Sequence, residues 1–85
     1  MPKSVFTEAY GSLIEKLVAR RKALGVSQVE LAARLGKTQQ FVSYIERCER
    51  RLDILEFYAI ARALGDEPQA LFGQVTAGLS GKVAI

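Results

Sequence analysis

The sequence predicts an all-α domain built from five short helices. Apolar residues recur at spacings of three and four in successive segments, which lines one helical face at a time. Capping sequences and glycines separate those segments. No stretch shows the period-two alternation of a half-buried strand, no hairpin signal is present, and no internal repeat appears.

The first helix carries Phe6, Tyr10, Leu13, Ile14, Leu17, Val18 and Leu24 as one stripe. Gly25 ends it, because glycine accepts the left-handed conformation of a helix terminus. Ser27-Gln28-Val29-Glu30 is a capping box: the serine hydroxyl accepts from the Glu30 amide, and the carboxylate reaches back to the Ser27 amide. The short helix that follows places Leu31, Ala32 and Leu35 inward and stops at Gly36. Thr38 caps a third helix with Val42 and Ile45 inward. Residues 48–52 read as a loop. Asp53-Ile54-Leu55-Glu56 is a second capping box, opening a helix with Ile54, Phe57, Tyr58, Ala61 and Leu64 expected inside and Gly65 at its end. Pro68 suits the first position of a fifth helix, where no amide donor is required. Leu71, Phe72 and Val75 form its apolar side. Residues 1–75 are expected to be one domain and residues 76–85 a flexible tail, with Val83-Ala84-Ile85 able to pair with another segment.

Eighty-five residues leave no room for a second core. With 49% hydrophobic and 25% charged residues the chain is ordinary for a globular domain, which argues against disorder. No apolar run approaches the roughly 18 residues of a membrane span, and no secretory leader is apparent, so a cytoplasmic protein without a membrane partner is expected. The single cysteine, Cys48, forms no intramolecular disulfide. Without histidine, the usual Cys/His zinc sites and the Ser-His-Asp and Cys-His nucleophile pairs are excluded. A non-enzymatic domain with no metal and no cofactor is the expectation.

Charge is unevenly distributed. Residues 16–51 hold nine basic and three acidic side chains, a net +6, whereas the remainder nets −3. A basic middle of this kind suits a polyanion. The tight unit of capped helix, Gly36-Lys37-Thr38 turn and second helix sharpens that reading. Two short helices joined by about three residues cross steeply. The outer face of the second carries Gln39, Gln40, Ser43, Tyr44 and Arg47, with almost no aliphatic surface. A glutamine amide bonds an adenine edge at two points, and recognition helices enter the major groove N-terminus first.

Three runs, Ser27-Gln28-Val29-Glu30-Leu31-Ala32, Leu35-Gly36-Lys37-Thr38-Gln39-Gln40-Phe41-Val42-Ser43 and Ile45-Glu46-Arg47, resemble the Xre/Cro family of lambda-repressor-like helix-turn-helix domains. So does the stretch from Glu49-Arg50-Arg51-Leu52-Asp53 through Ala61-Arg62-Ala63-Leu64-Gly65. The resemblance covers about residues 17–72, with the motif at about 27–47. It implies that Gln28 bonds a phosphate and braces Gln39, that Gln39 and Gln40 read bases, and that Ser43 and Tyr44 touch bases or backbone one turn on. It implies phosphate contacts for Lys37, Arg47, Arg50 and Arg51, and a largely buried structural salt bridge between Arg21 and Glu46. Two positions depart from the family: Cys48 stands where glycine is usual, and Tyr44 where a basic residue is frequent. A non-glycine at the first either holds a positive φ at about 1 kcal/mol or reroutes the loop. Phe41, unusual beside DNA, is expected to tuck under its helix.

One recognition helix reads about four base pairs, at roughly 1–3 kcal/mol for each good bidentate contact. Specific sites need about 4–10 kcal/mol over random duplex. Two copies on half-sites about 34 Å apart close that gap, so a homodimer is expected, with Leu71, Phe72 and Val75, and Phe6 and Tyr10 of the first helix, as candidates for its surface. The leading reading is a homodimeric repressor binding double-stranded DNA at a palindromic operator. The alternative is an interaction module, such as the antitoxin of a toxin–antitoxin pair, gripping a protein partner through the C-terminal region; a control protein of a restriction–modification system also fits.

Overall fold

Each helix starts from an extended residue whose side chain accepts a hydrogen bond from the first turn, satisfying an amide that has no partner inside the helix. The computed structural model describes residues 7–85, and among them there are five helices and no strand. Thr7 caps α1 (Glu8–Ala23), Ser27 caps α2 (Gln28–Leu35), Thr38 caps α3 (Gln39–Glu46), Asp53 caps α4 (Ile54–Leu64) and Glu67 caps α5 (Pro68–Thr76). Ser27 and Asp53 complete full capping boxes with Glu30 and Glu56. Gly36 ends α2 at φ +69°, and the Lys37 amide then closes onto the Ala32 carbonyl at 2.9 Å. That left-handed residue lets the chain reverse within three residues and start α3.

α2 packs on α3 and α4; α1 packs on α5 and α3; α4 packs on α5. Their shared core is Ile14, Leu17, Val26, Leu31, Ala32, Val42, Ile45, Ile60, Ala61, Leu64, Leu71 and Val75. No helix among the described residues is long and apolar enough to cross a membrane.

Two expectations need correction. Leu71 and Val75, proposed for a dimer surface, are 0% exposed inside the protomer. They lie one turn apart on α5 against α1 and α4, so neither is available to a second copy. Of the three α5 candidates only Phe72 is exposed, its ring meeting Phe57 edge-on at 5.9 Å; Phe6 lies outside the described residues. On α4, Ile54 and Tyr58 face outward rather than inward, at 89% and 50% exposure. The stripe that packs inward is Phe57, Ile60, Ala61 and Leu64. At about 100° per residue, Tyr58 falls roughly 110° from the centre of that stripe, and Ile54 roughly 70° from it on the first turn.

Beyond α5 the chain turns through Gly78, and the Lys16 ammonium donates to the Ala77 carbonyl. Leu79, Val83, Ala84 and Ile85 line a shallow pocket together with Thr7, Tyr10 and Leu13 of the α1 end.

Candidate nucleic-acid interface

The α2–turn–α3 unit sorts its side chains by the two faces of α3. Val42 and Ile45 are buried. Gln39, Gln40, Tyr44 and Arg47 are exposed, and Ser43 is half-buried. The outer face is therefore polar, with one aromatic ring and one guanidinium.

Behind it runs a chain of polar groups that begins in the core. Arg21 of α1 is a buried charged residue. Its guanidinium donates to both Glu46 oxygens, at 2.6 and 2.9 Å, and to the Val26 carbonyl at 2.7 Å. Glu46 Oε1 also accepts from Gln28 Nε2 at 2.7 Å. Gln28 Oε1 in turn accepts from Gln39 Nε2 at 3.2 Å. Among the described residues no buried side-chain nitrogen or oxygen lacks a partner. Four side chains from α1, α3, α2 and α3 again thus tie the first residue of α3 to the interior.

The exposed face has its own contacts at helical spacing. Gln40 Nε2 donates to the Tyr44 hydroxyl at 2.9 Å. The Arg47 guanidinium lies over the Tyr44 ring, 5.3 Å from its centre, and pairs with Glu49 at 3.3 Å. Interactions one turn apart restrict these side chains without removing them from solvent.

The structure divides the other cations into two groups. Lys37 and Arg50 converge on Phe41, at 5.4 and 4.9 Å from the ring centre. Phe41 is half-buried against the core, and its ring holds both cations beside the first turn of α3. Arg50 also donates to both oxygens of Glu56, at 2.9 and 2.7 Å. That contact holds the Glu56 carboxyl below its usual range. Arg51 turns the other way, onto the Tyr10 ring of α1 at 4.5 Å. The structure does not bring Arg51 to the α3 face.

Cys48 has φ +59° and is the non-glycine residue in the left-handed region among the described residues. The loop keeps the path that glycine allows, with the Glu49 and Arg50 amides both donating to the Tyr44 carbonyl. Burial pushes the Cys48 thiol pKa up, which disfavours the reactive thiolate.

Two participants were not found from the sequence. Glu56 is legible as a capping-box acid, but nothing in the pattern ties it to Arg50 six residues earlier. Phe41 is legible as an oddity beside a polar face, but not as a platform for two cations. Among the described residues no group of three His, Cys, Asp or Glu side chains is placed to hold a metal.

Comparison with known proteins agrees with this geometry. The family model described as helix-turn-helix matches residues 17–69. An XRE-family like protein from Pseudomonas syringae pv. tomato superimposes with a TM-score of 0.77 at 44% identity, covering 85% of this chain and 88% of that one. The clp gene regulator ClgR from C. glutamicum shares the fold at a TM-score of 0.74 and 18% identity, over 89% of this chain and 99% of its own. The uncharacterized HTH-type transcriptional regulator y4dJ of Sinorhizobium fredii is 40% identical over 45 residues, a stretch that spans 53% of this chain and 58% of that relative. The family match spans the capped α2, the Gly36 turn and the polar-faced α3, and the XRE-family structure covers most of the chain; this chain belongs to the helix-turn-helix family, in its Xre branch.

Proposed function

We propose that this protein is a sequence-specific DNA-binding transcriptional regulator that inserts α3 into the major groove and acts in the cytoplasm as a homodimeric repressor on a palindromic operator. The observation that carries the reading is the pair of exposed amides, Gln39 and Gln40, at the start of a helix braced from the core through Gln28, Glu46 and Arg21. Fixed amides at a helix N-terminus suit adenine edges. Gln39, Gln40, Ser43 and Tyr44 take the bases; Gln28, Lys37, Arg47 and Arg50 lie close enough to that face to take flanking phosphates. Arg51, turned onto Tyr10, serves a phosphate only if the duplex extends past the α3–α4 loop. Residues 1–75 form the binding domain in this reading, with 76–85 as its tail.

The surface assigned to the second copy is the apolar patch of Ile54, Leu55, Tyr58 and Phe72. A groove of about 180 Å³ opens beside it, lined by Leu13, Leu52, Phe57 and Phe72 among others. These four side chains carry no charge, so two copies of the patch meet without like-charge repulsion. Exposed aromatic and aliphatic residues grouped in this way mark an interaction surface.

Selection of bound duplexes from a random library tests both parts. Enriched sites are expected to contain two inverted half-sites with centres about 34 Å apart. A single half-site without symmetry overturns the dimer, and no enrichment overturns the DNA reading. Gln39→Ala combined with Gln40→Ala is expected to abolish the preference while leaving weak, salt-sensitive binding to any duplex. An operator preference retained in that double variant overturns the assignment of the two amides.

A further inference from the structure

Arg50 presents a guanidinium beside the first turn of α3, where the phosphates flanking a bound helix would lie, and that guanidinium already holds an anion. Glu56 grips it with two oxygens at 2.9 and 2.7 Å, the fork-to-fork arrangement that a phosphate would also adopt. The carboxylate is held in place independently of Arg50. Its Oε1 accepts from the Asp53 amide at 2.9 Å, and Asp53 accepts from the Glu56 amide at 2.7 Å, closing the cap of α4. Arg50 is likewise held by the Phe41 ring, which also carries Lys37. Both side chains keep contact with solvent, at 42% and 23% exposure, so the pair is open to an incoming anion and weak enough to be exchanged.

We propose that Glu56 is a built-in competitor for phosphate at Arg50, which keeps this guanidinium out of encounters with random duplex and so lowers sequence-independent affinity. The inference rests on the DNA-binding reading above. It assigns a role to a residue that contacts no nucleic acid itself and acts through its neighbour. Freed of Glu56, Arg50 adds one phosphate contact to complexes with random duplex.

The test is salt-dependent binding to a random-sequence duplex, with Glu56→Gln made in the wild-type chain and in an Arg50→Gln background. Glutamine retains the oxygen that the capping box uses. In the wild-type background, E56Q is expected to tighten binding and to steepen the log–log salt slope by about 0.9. Between 50 and 200 mM salt that corresponds to an additional loss of about 3.5-fold. In the Arg50→Gln background, adding E56Q is expected to leave the slope unchanged, because the guanidinium it would release is gone. An unchanged slope in the first background overturns the proposal. So does a steeper slope in both, since that is the effect of net charge alone. Should E56Q melt early, Glu56→Asp takes its place, keeping the charge but shortening the reach to Arg50, with the same steepening expected and an unchanged slope again decisive against it. A wild-type chain that binds no duplex at any salt removes the DNA reading and this proposal with it; binding with an unchanged E56Q slope removes this proposal alone.

Discussion

Arg21→Ala is the perturbation with the largest expected effect on the fold. The guanidinium is 6% exposed and makes three hydrogen bonds, two to Glu46 and one to the Val26 carbonyl. Removing it leaves a carboxylate whose side chain is only 10% exposed, with Gln28 as its remaining donor among these contacts. It also takes a donor from the Val26 carbonyl. Breaking a buried pair from one side costs about 3–5 kcal/mol, because the remaining charge loses its counter-ion while largely shut off from water. A chain of this length is stabilised by roughly 4–13 kcal/mol in total, so the loss removes about a quarter or more of it. At about 4–8 °C per kcal/mol for a small domain, a loss of 3 kcal/mol lowers the melting temperature by roughly 12–24 °C. Circular dichroism through thermal and urea denaturation measures it, with an unchanged urea slope showing that the native and denatured states keep their compactness. A fall of less than about 4 °C refutes the stranded-charge argument. The double variant Arg21→Met with Glu46→Leu separates charge from packing. An apolar pair of similar volume is expected to recover most of the loss, whereas an effect due to side-chain volume would persist.

Cys48→Val is expected to cost about 1–2 kcal/mol relative to Cys48→Gly, because a β-branched residue resists φ +59°; equal melting temperatures would show that the loop does not hold this conformation. Asp66 accepts from Arg20 Nε and Nη2, each at 2.8 Å, and this hydrogen-bonded pairing holds its carboxyl below the usual range. Its folded pKa is depressed, so its contribution is complete above the unfolded value of about 3.9 and is lost as pH falls through the lower folded value. Asp66→Asn is therefore expected to flatten the acid limb of the stability profile below about pH 4, and an acid limb identical to wild type argues against the pair in solution.

The parts of the molecule that were legible in the sequence are those decided within four residues. Ser27 with Glu30, and Asp53 with Glu56, announce their helix starts because a capping box is a local exchange of hydrogen bonds. The outward face of α3 was legible for a related reason: Val42 and Ile45 are its only aliphatic side chains, so its burial has one solution. α4 offers no such choice. Its sequence ILEFYAIARAL is apolar on nearly every side, and periodicity does not select Ile60 over Ile54 or Tyr58. What selects Ile60 is the position of α2 and α5, which is a long-range fact. The burial of Leu71 and Val75 depends in the same way on α1, which lies some fifty residues earlier in the chain. Cys48 and the Arg50–Glu56 pair belong to a third kind. Loop backbone and contacts made across a loop follow no period, and chemistry alone did not choose Glu56 over Glu49 as the partner of Arg50.

The Arg21 relay also bears on what the two α3 amides can offer. A carboxylate only accepts hydrogen bonds, so Glu46 requires the nitrogen end of the Gln28 amide and turns its oxygen outward. That oxygen takes one of the two hydrogens on Gln39 Nε2. Gln39 keeps its second hydrogen and its carbonyl oxygen, the one donor and one acceptor that an adenine edge needs. Gln40 arrives at the same state by a different route, giving one hydrogen to the Tyr44 hydroxyl. Each amide is thus anchored through one hydrogen while one donor and one acceptor remain available. An amide oriented in this way loses little freedom on binding, and its orientation at residue 39 is inherited from a buried charge on α1. On the proposed reading, a substitution at Arg21 that leaves the chain folded still weakens discrimination, because Glu46 and Gln28 are then free to turn.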